Sequence, residues 1–422
     1  MKKIIIGGCM ACLMTVGASA QSGINSPYSQ FGVGVLSDAS QGFSRGMNGA
    51  SLGLRQGNIV NTMNPASYSA VDSLTMIFDV GVSGQVTNFK EGPVSVNARN
   101  SNFEYAVGSF RLLPRVGMAF GLIPYSNVGY KYSISEYLDE TNGTITKTYN
   151  GSGGLREVFL GTAWQVTPQF SIGANVGYLW GTIERTLQTS STTYVNSLKK
   201  SYEVMVNSYK IDLGVQWTQP LNRTDLLTVG ATVGIGHKLG ADPTNTMINV
   251  SNADTTQTTI TNGLSLPMSY GLGVAWNHKG KLIVDADFHL QRWGSLDFPA
   301  HTGNGYVMQS GLLKDRYVIK TGLDYVPNAA DTRHFVNRVH YRCGVGFSTP
   351  YYNIDDKSGP KEFSVSAGFG IPLQNAYNHR SVLNISAQWA HSSATGMITE
   401  NTFRINLGLT FNERWFAKWK IE

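Results

Sequence analysis

The sequence predicts an all-β fold, a 14-stranded antiparallel transmembrane β-barrel with an N-terminal plug on its periplasmic side. Two observations predict this fold. After Leu74, long segments alternate apolar and polar side chains with a period of two. The composition is also unusual, because the 422 residues include 47 glycines and only 14% are charged, whereas soluble chains carry about 25% charged residues. An aromatic content of 11% with so few charges excludes a disordered chain.

Residues 1–20 are predicted to be a Sec signal peptide. Lys2 and Lys3 precede an apolar stretch, and Ala18-Ser19-Ala20 offers the small residues that signal peptidase requires, so cleavage is expected before Gln21. The signal removes two of the 33 Lys and Arg residues and none of the 27 Asp and Glu residues, which leaves a net charge of +4. This charge is too small to indicate a nucleic-acid-binding protein. Of the three cysteines only Cys343 remains, so no internal disulfide is expected.

Residues 21–73 are predicted to form the plug. The segment is rich in Gly, Ser and Asn, which is also typical of a flexible tail, the alternative interpretation. Its apolar residues favour burial inside the barrel. These residues are Phe31, Phe43, Met47, Leu52, Leu54, Ile59, Val60 and Met63.

Residues 74–422 are predicted to form the barrel. Between residues 170 and 180, for example, apolar side chains alternate with serine, glycine and asparagine. A strand needs about 9–11 residues to cross a bilayer, with apolar side chains facing lipid and polar ones facing the lumen. The fourteen predicted strands are 74–88, 102–112, 115–134, 144–164, 168–186, 202–218, 225–239, 262–277, 281–292, 314–326, 337–348, 361–373, 380–391 and 402–416.

The lengths of the links between these strands are consistent with a barrel, in which periplasmic turns are short and outer loops are long. The short links fall at one end and are 112–115, 165–168, 219–224, 277–280 and 374–379. The long links fall at the other end and are 187–201, 240–261 and 293–313. Residues 327–336 are the exception, a longer periplasmic link.

Aromatic residues near the strand ends are expected to form the two interfacial girdles of the barrel. These residues are Tyr130, Tyr132, Trp164, Trp217, Trp276, Trp293, Tyr351, Tyr352 and Trp415. Cys343 falls on the apolar face of its strand, so it is expected to face lipid as a small hydrophobic residue.

The N-terminal segment resembles the hatch of the FadL/TodX family of outer-membrane transporters. The resemblance lies in residues 45–54, Arg-Gly-Met-Asn-Gly-Ala-Ser-Leu-Gly-Leu, and in residues 61–67, Asn-Thr-Met-Asn-Pro-Ala-Ser. In that family a Gly- and Ala-rich segment leads into an Asn-Pro-Ala motif just before the first of fourteen strands. By position, the resemblance implies that Asn64, Pro65 and Ala66 form the hatch element and that Gly46 and Gly49 belong to the gating segment.

The resemblance implies a passive channel that admits fatty acids or other small hydrophobic solutes through a hatch-gated lumen, with release through an opening in the wall. The expected location is the outer membrane of a Gram-negative cell, with outer-membrane lipid around the barrel. Because the family is similar in fold to a barrel that shuttles substrates in type IX secretion, the alternative is a non-transporting subunit with protein partners in an outer-membrane secretion or assembly machine. No cofactor is expected.

Candidate chemistry is confined to the lumen. Asp285, Asp287 and His289 sit at every second position of one strand and are expected to face inward, either as a cation site or as part of a polar wall. The polar wall is the commoner explanation, so no metal is predicted. The further charged residues expected on inner faces are Lys210, Asp212, Lys320, Asp324, His340, Arg342 and Arg404.

An enzyme is not expected. Gly42-Phe43-Ser44-Arg45-Gly46 matches the Gly-x-Ser-x-Gly pattern of a nucleophile elbow, but that turn requires a buried strand immediately before it, and none is predicted there. The sequence contains no Walker loop, no His-Glu-x-x-His and no Cys-x-x-Cys motif. No catalytic residue is therefore assigned.

Overall fold

A computed structural model gives the structure of the protein and describes residues 23–138, 143–191, 197–249, 254–302, 305–331, 333–355, 357–373 and 381–414. The predicted signal peptide and Trp415 lie outside these ranges. Within them, no helix is long and apolar enough to cross a membrane.

Fourteen antiparallel strands form a closed barrel, as predicted. The last strand pairs with the first, from Thr75 opposite Arg414 to Lys90 opposite Thr399, and this pairing closes the wall. The strands are β1 (Thr75–Glu91), β2 (Val94–Leu113), β3 (Val116–Leu138), β4 (Gly143–Gln165), β5 (Phe170–Ser191), β6 (Leu198–Pro220), β7 (Asp225–Gly234), β8 (Ser269–His278), β9 (Leu282–Gln291), β10 (Arg316–Tyr325), β11 (His340–Ser348), β12 (Lys361–Leu373), β13 (Ser381–Ser393) and β14 (Thr399–Arg414).

The alternation of side chains explains why these strands form a barrel wall. In β8, Leu272 and Val274 point outward and are exposed, whereas Gly271, Gly273 and Ala275 point inward and are buried. The exposed apolar side chains form the surface that lipid covers. Cys343 lies on this outer surface too, as predicted.

The wall is interrupted after Gly234, so the predicted strand 225–239 is right up to that residue and wrong beyond it. Residues 235–243 and 260–268 turn into the lumen, and within them His237–Lys238 pairs with Ser265–Leu266. Leu239 and Leu264 bury their side chains there, which removes their apolar surface from water.

The predicted outer loop 240–261 is also wrong in part. Within it, a hairpin of Thr244–Asn249 and Asp254–Thr259 continues the wall beside β6. The hairpin pairs with the outer end of β6, where β7 no longer reaches.

The aromatic girdle is only partly as predicted. Trp164, Trp217 and Trp276 are exposed at the periplasmic ends of their strands. By contrast, Trp293 and Tyr351 are buried inside the barrel, as are Tyr130 and Tyr352. The strands extend beyond the bilayer on the outer side, so aromatic residues at that level fill the interior instead of facing lipid.

A seam divides the wall between β2 and β3. The two strands pair only over Ala106–Leu113 and Val116–Leu122, at the periplasmic end. Above that point β3 is bulged between Pro124 and Ser126, where its pairing with β4 shifts register.

Residues 23–73, which we call the inner segment, lie largely inside the barrel. They form short helices at Pro27–Gln30, Gly42–Arg45 and Pro65–Ala70, and the short strand Val35–Leu36 pairs with β3 above the seam's closed end. Three further short elements lie on the outer side. They are the 3-10 helix Trp293–Ser295 and two hairpins, Phe298–Thr302 with Gly305–Gln309 and Asn353–Ile354 with Lys357–Ser358. The 3-10 helix Phe335–Arg338 lies on the periplasmic side.

Candidate functional site

Asn64 forms hydrogen bonds both within the inner segment and with the barrel wall. It caps the helix Pro65–Ala70, because its Oδ1 accepts a hydrogen bond from the Ala66 backbone N–H at 3.1 Å. Its Nδ2 donates to the carbonyl oxygens of Leu52, at 3.0 Å, and of Val215 in β6, at 3.1 Å. Pro65 follows a residue in extended conformation, as proline requires. The Asn-Pro-Ala motif is therefore a fixed, buried point of contact with the barrel.

Gly46 and Gly49 lie where a side chain has no room. A Cβ at Gly46 would come within 2.9 Å of the Arg342 Cβ atom in β11. Gly49 has a φ of +83° and lies against the ion pair of Lys320 and Asp38, where a Cβ would come within 2.7 Å of the lysine Nζ. Both positions favour glycine for space, and Gly49 also for its backbone conformation.

Glycines of the barrel wall allow the inner segment to approach the strands closely. A Cβ at Gly117 would lie 1.9 Å from the Tyr68 carbonyl oxygen, and one at Gly230 would lie 2.1 Å from that of Leu52. The wall glycines that contact the inner segment in this way include Gly117, Gly173, Gly214, Gly230, Gly273, Gly322, Gly344, Gly368 and Gly408, in β3, β5, β6, β7, β8, β10, β11, β12 and β14. The inner segment thus packs against strands all around the lumen.

The pattern Asp285, Asp287 and His289 faces the lumen, and Asp287 binds the inner segment. Its carboxylate accepts hydrogen bonds from the backbone N–H groups of Ser51, at 2.7 Å, and Leu52, at 3.0 Å. Asp285 is fully buried, and neither of its carboxylate oxygens receives a hydrogen bond. The described residues contain no group of three side chains that could hold a metal ion. Of these three residues, Asp287 therefore holds the inner segment in place, and the three do not form a metal site together.

Two ion pairs, one half-buried and one buried, also join the inner segment to the wall. Lys320 Nζ lies 3.1 Å from Asp38 Oδ2, and an Arg45 nitrogen lies 3.0 Å from Glu104 Oε2. Burial alone would raise the pKa of Asp38, but Lys320 and Arg45 together lower it well below its usual range. Burial would lower the pKa of Arg45, and Glu104 and Asp38 raise it above its usual value instead. Both groups are charged at neutral pH.

The other charged residues predicted for the lumen bind one another across the wall. Asp324 in β10 accepts from Arg342 Nε at 3.1 Å and lies 2.9 Å from His340 Nδ1. Arg404 in β14 donates to Gln85 in β1 at 2.9 Å. These side chains hold neighbouring strands together.

Lys210 is part of a similar wall network, since it pairs with Asp212 and lies 3.2 Å from Glu157 in β4. Among the described residues it forms no ion pair with the inner segment, and it links neighbouring strands instead.

The outer half of the lumen is apolar, which the sequence analysis did not predict. Leu179 and Ile183 continue the inward face of β5 above Gly177, where glycine and polar residues give way to apolar ones. This change of residue type along one strand is the feature of the sequence from which an apolar outer lumen could have been predicted. The buried residues of this outer core are Tyr28, Val33, Val128, Tyr130, Leu155, Leu179, Ile183, Val204, Val206, Leu239, Ala241, Leu264, Leu266, Trp293, Leu313, Tyr351 and Tyr352.

The outer core reaches the seam, where the inner segment covers it. Val128 and Tyr130 of the outer core belong to the part of β3 that β2 does not pair with. Residues 27–36 run along this edge, because Ser29 Oγ accepts from the Gly129 backbone N–H at 3.0 Å and Val35 lies opposite Asn127. This stretch, which we call the seam segment, separates the outer core from the opening in the wall.

The crevice beside the helix Gly42–Arg45 has no volume that a water molecule could occupy. It is lined by polar residues as well as glycines, among them Glu104 and Asn384. The periplasmic half of the lumen is therefore tightly filled at this point.

Comparisons with known proteins agree with the barrel. The model of one protein family, described as BamG, matches residues 1–422. In structure, the chain is similar to the toluene transporter TbuX of Ralstonia pickettii, with a TM-score of 0.60, 13% identity, and coverage of 90% of this chain and 98% of that one. No curated protein sequence matches the chain.

Two more solved structures are similar. A Pseudomonas aeruginosa FadL homologue has a TM-score of 0.61 at 13% identity and covers 90% of this chain and 99% of its own. The P. putida toluene transporter TodX has a TM-score of 0.60 at 16% identity, with coverage of 89% and 98%. At these identities the likeness establishes the fold, and it confirms the resemblance of the sequence to the FadL/TodX family at that level. Two of the three proteins are described as transporters.

Proposed function

This chain belongs to the BamG family, and we propose that it is a passive outer-membrane channel for a small hydrophobic or amphipathic solute, such as a long-chain fatty acid. The observation that supports this function best is the apolar outer core that meets the seam between β2 and β3. A solute that entered from outside would exchange water for apolar side chains, which is favourable. It would then leave sideways through the seam into the membrane.

In this proposal the seam segment is the moving part of the hatch. It accepts hydrogen bonds from Arg185, Tyr132 and Tyr351 of the barrel, shares others between Ser29 and Gly129, and forms two residue pairs with β3. The stretch from Gly42 to Ala70 is held by the buried ion pair of Arg45 with Glu104, by Asp287 and by contacts with wall glycines. Residues 27–36 contain no charged side chain, so opening the seam segment breaks hydrogen bonds and apolar contacts but no ion pair.

A reversible lock tests the proposal. Val35 and Asn127 are antiparallel partners, and such Cα atoms lie about 4.5–5.5 Å apart, within the range that a disulfide spans. The test protein carries Cys343→Ser with Val35→Cys and Asn127→Cys. We expect oxidation to stop uptake of a long-chain fatty acid into liposomes and reduction to restore it.

The matched control places the same crosslink away from the seam segment. Ser133 and Thr148 are hydrogen-bonded neighbours in the exposed β3–β4 hairpin, so Ser133→Cys with Thr148→Cys should leave uptake unchanged when oxidised. Equal uptake by the oxidised and reduced forms of the Val35/Asn127 lock would contradict the proposed route.

The second candidate function is a non-transporting subunit of an outer-membrane secretion or assembly machine. The tight contact of the inner segment with glycines around the wall favours it, because a barrel that serves only as an anchor needs a sealed lumen. Purification in mild detergent separates the two candidates. Bound lipid or fatty acid would support the channel, whereas stoichiometric protein partners and no uptake in liposomes would support the subunit.

A further inference from the structure

We infer that residues 94–103 of β2 form a docking edge, to which an extended strand of a partner protein adds by backbone hydrogen bonds. β2 pairs with β1 from Glu91 opposite Val94 to Met76 opposite Phe110. On its other side it pairs with β3 only from Ala106 to Leu113. The docking edge therefore has a neighbouring strand on one side and, within the described residues, none on the other.

An unpaired edge exposes backbone N–H and C=O groups that other strands can bind, and proteins usually protect it with lysine, proline or a bulge. The docking edge has none of these. Its sequence is Val-Ser-Val-Asn-Ala-Arg-Asn-Ser-Asn-Phe, with Arg99 as the single charge. The register shift in the β1–β2 pairing lies nearer the periplasm, at Gly81 and Val82. An edge without protection is one that a partner is suited to cover.

Two exposed apolar side chains support a protein partner. Val94 and Val96 are 61% and 58% exposed at the outer end of β2. β2 has 20 residues, whereas about 9–11 cross a bilayer, so its outer end extends beyond the lipid. The lipid that accounts for exposed apolar residues lower in the wall does not account for these two.

The other side of the seam already binds an extended strand, which supports a strand as the partner of the docking edge. On the opposite edge, Val35–Leu36 already pairs antiparallel with Ser126–Asn127 of β3. On the β2 side, the inner segment contacts side chains instead, with Asn25 Nδ2 donating to Asn100 Oδ1 at 3.3 Å. The backbone edge of β2 is left for another chain.

The chemistry of the edge defines the partner. Ten residues of strand extend about 33 Å, enough for a ladder of several backbone hydrogen bonds. The partner segment would be extended, with small apolar side chains against Val94 and Val96 and without a cluster of positive charge near Arg99. The partner strand would cover the outer end of the seam, above the lipid, whereas the proposed solute route uses the part of the seam that faces lipid.

Photocrosslinking on the full-length protein in its native outer membrane tests the inference. A photoreactive amino acid replaces Ser95, Asn97 or Ser101, one position at a time. The expected result is an adduct with one partner protein, in which moving the probe by two residues moves the crosslinked partner residue by about two, as in a strand pair. Adducts with lipid only, with a second copy of this chain, or with partner residues that do not shift in this way would overturn the inference.

Charged substitutions supply the matched comparison. Val94→Lys with Val96→Lys should abolish most of the adduct, because lysine protects a strand edge. Thr186→Lys with Gln188→Lys, at outer positions of β5 that have strands on both sides, should leave it unchanged. Fatty-acid uptake should be equal in both variants, so a failure of the channel proposal would not be mistaken for a failure of this one. An undiminished adduct in the Val94/Val96 variant would contradict the docking edge.

Discussion

Among single residues, Asp287 holds the inner segment most directly, through hydrogen bonds to its backbone. It and Asp285 lie two positions apart on one strand, and both are buried. Only Asp287 receives hydrogen bonds, from the Ser51 and Leu52 backbone. The spacing in the sequence indicates that both face the lumen, but not which one meets the inner segment, because that depends on where a distant loop lies.

Replacing Asp287 with alanine should loosen the inner segment. The two N–H groups would lose their acceptor in a buried place, at a cost of about 1–3 kcal/mol each. We expect faster proteolysis within residues 40–60 of the detergent-solubilised barrel. Asp285→Ala is the matched control and should not increase proteolysis, since Asp285 accepts no hydrogen bond from the inner segment. Equal sensitivity of the two variants would contradict this role of Asp287.

Asp38 should make the closure of the inner segment dependent on pH. Its pKa is lowered in the folded protein, so the ion pair with Lys320 stabilises at all pH values above the unfolded pKa of about 3.9. That contribution is lost as the pH falls below this value, through the folded pKa. Asp38→Asn should be less stable than the natural protein at pH 7, and the difference in thermal unfolding should shrink below pH 4. A difference that does not change with pH would contradict the assignment.

At the scale of elements, the wall strands follow from the sequence and their interruptions do not. The alternation predicted all fourteen strands, because a lipid-facing surface requires apolar residues at every second position wherever the strand lies. The turn of residues 235–243 into the lumen escaped prediction, since Leu239 has a strand-like pattern around it and its partners in the outer core come from distant strands.

A wall glycine tests the contact between strand and inner segment. Gly117→Ala would bring a Cβ within 1.9 Å of the Tyr68 carbonyl oxygen, which belongs to backbone and cannot rotate away. We expect a loss of about 1–3 kcal/mol in stability, measured by unfolding in urea. Gly84→Ala in β1 is the control, because nothing lies within 4 Å of its added Cβ. A Gly117→Ala protein as stable as the control would show that the inner segment yields at this point.

At the scale of the whole molecule, the inner segment and the barrel form one packed body. Residues far apart in the chain meet in it, as Arg45 does with Glu104 and Asp38 with Lys320. The outer core likewise joins the inner segment to the residues that turn in after β7. Both the inner segment and the residues that follow β7 therefore fill the lumen.

Deleting residues 21–66 should therefore open the barrel. The deletion removes most of the contacts with the wall glycines and both ion pairs, while the fourteen strands keep their own pairing. We expect a large rise in ion conductance in planar bilayers and leakage from liposomes. Conductance equal to that of the full chain, with the barrel still folded, would show that the inner segment does not seal the lumen.

The sequence by itself determined the barrel, its strand number and the outward faces of its strands. It could do so because each strand must place apolar side chains toward lipid at every second position, so the alternation can be recognised in each strand separately. Only the tertiary structure decided that Trp293 and Tyr351 turn inward, that Asp287 and not Asp285 anchors the inner segment, and that β2 and β3 part above Ala106. Each of these depends on which distant segments meet in the lumen, and packing between distant segments leaves no periodic pattern in either one.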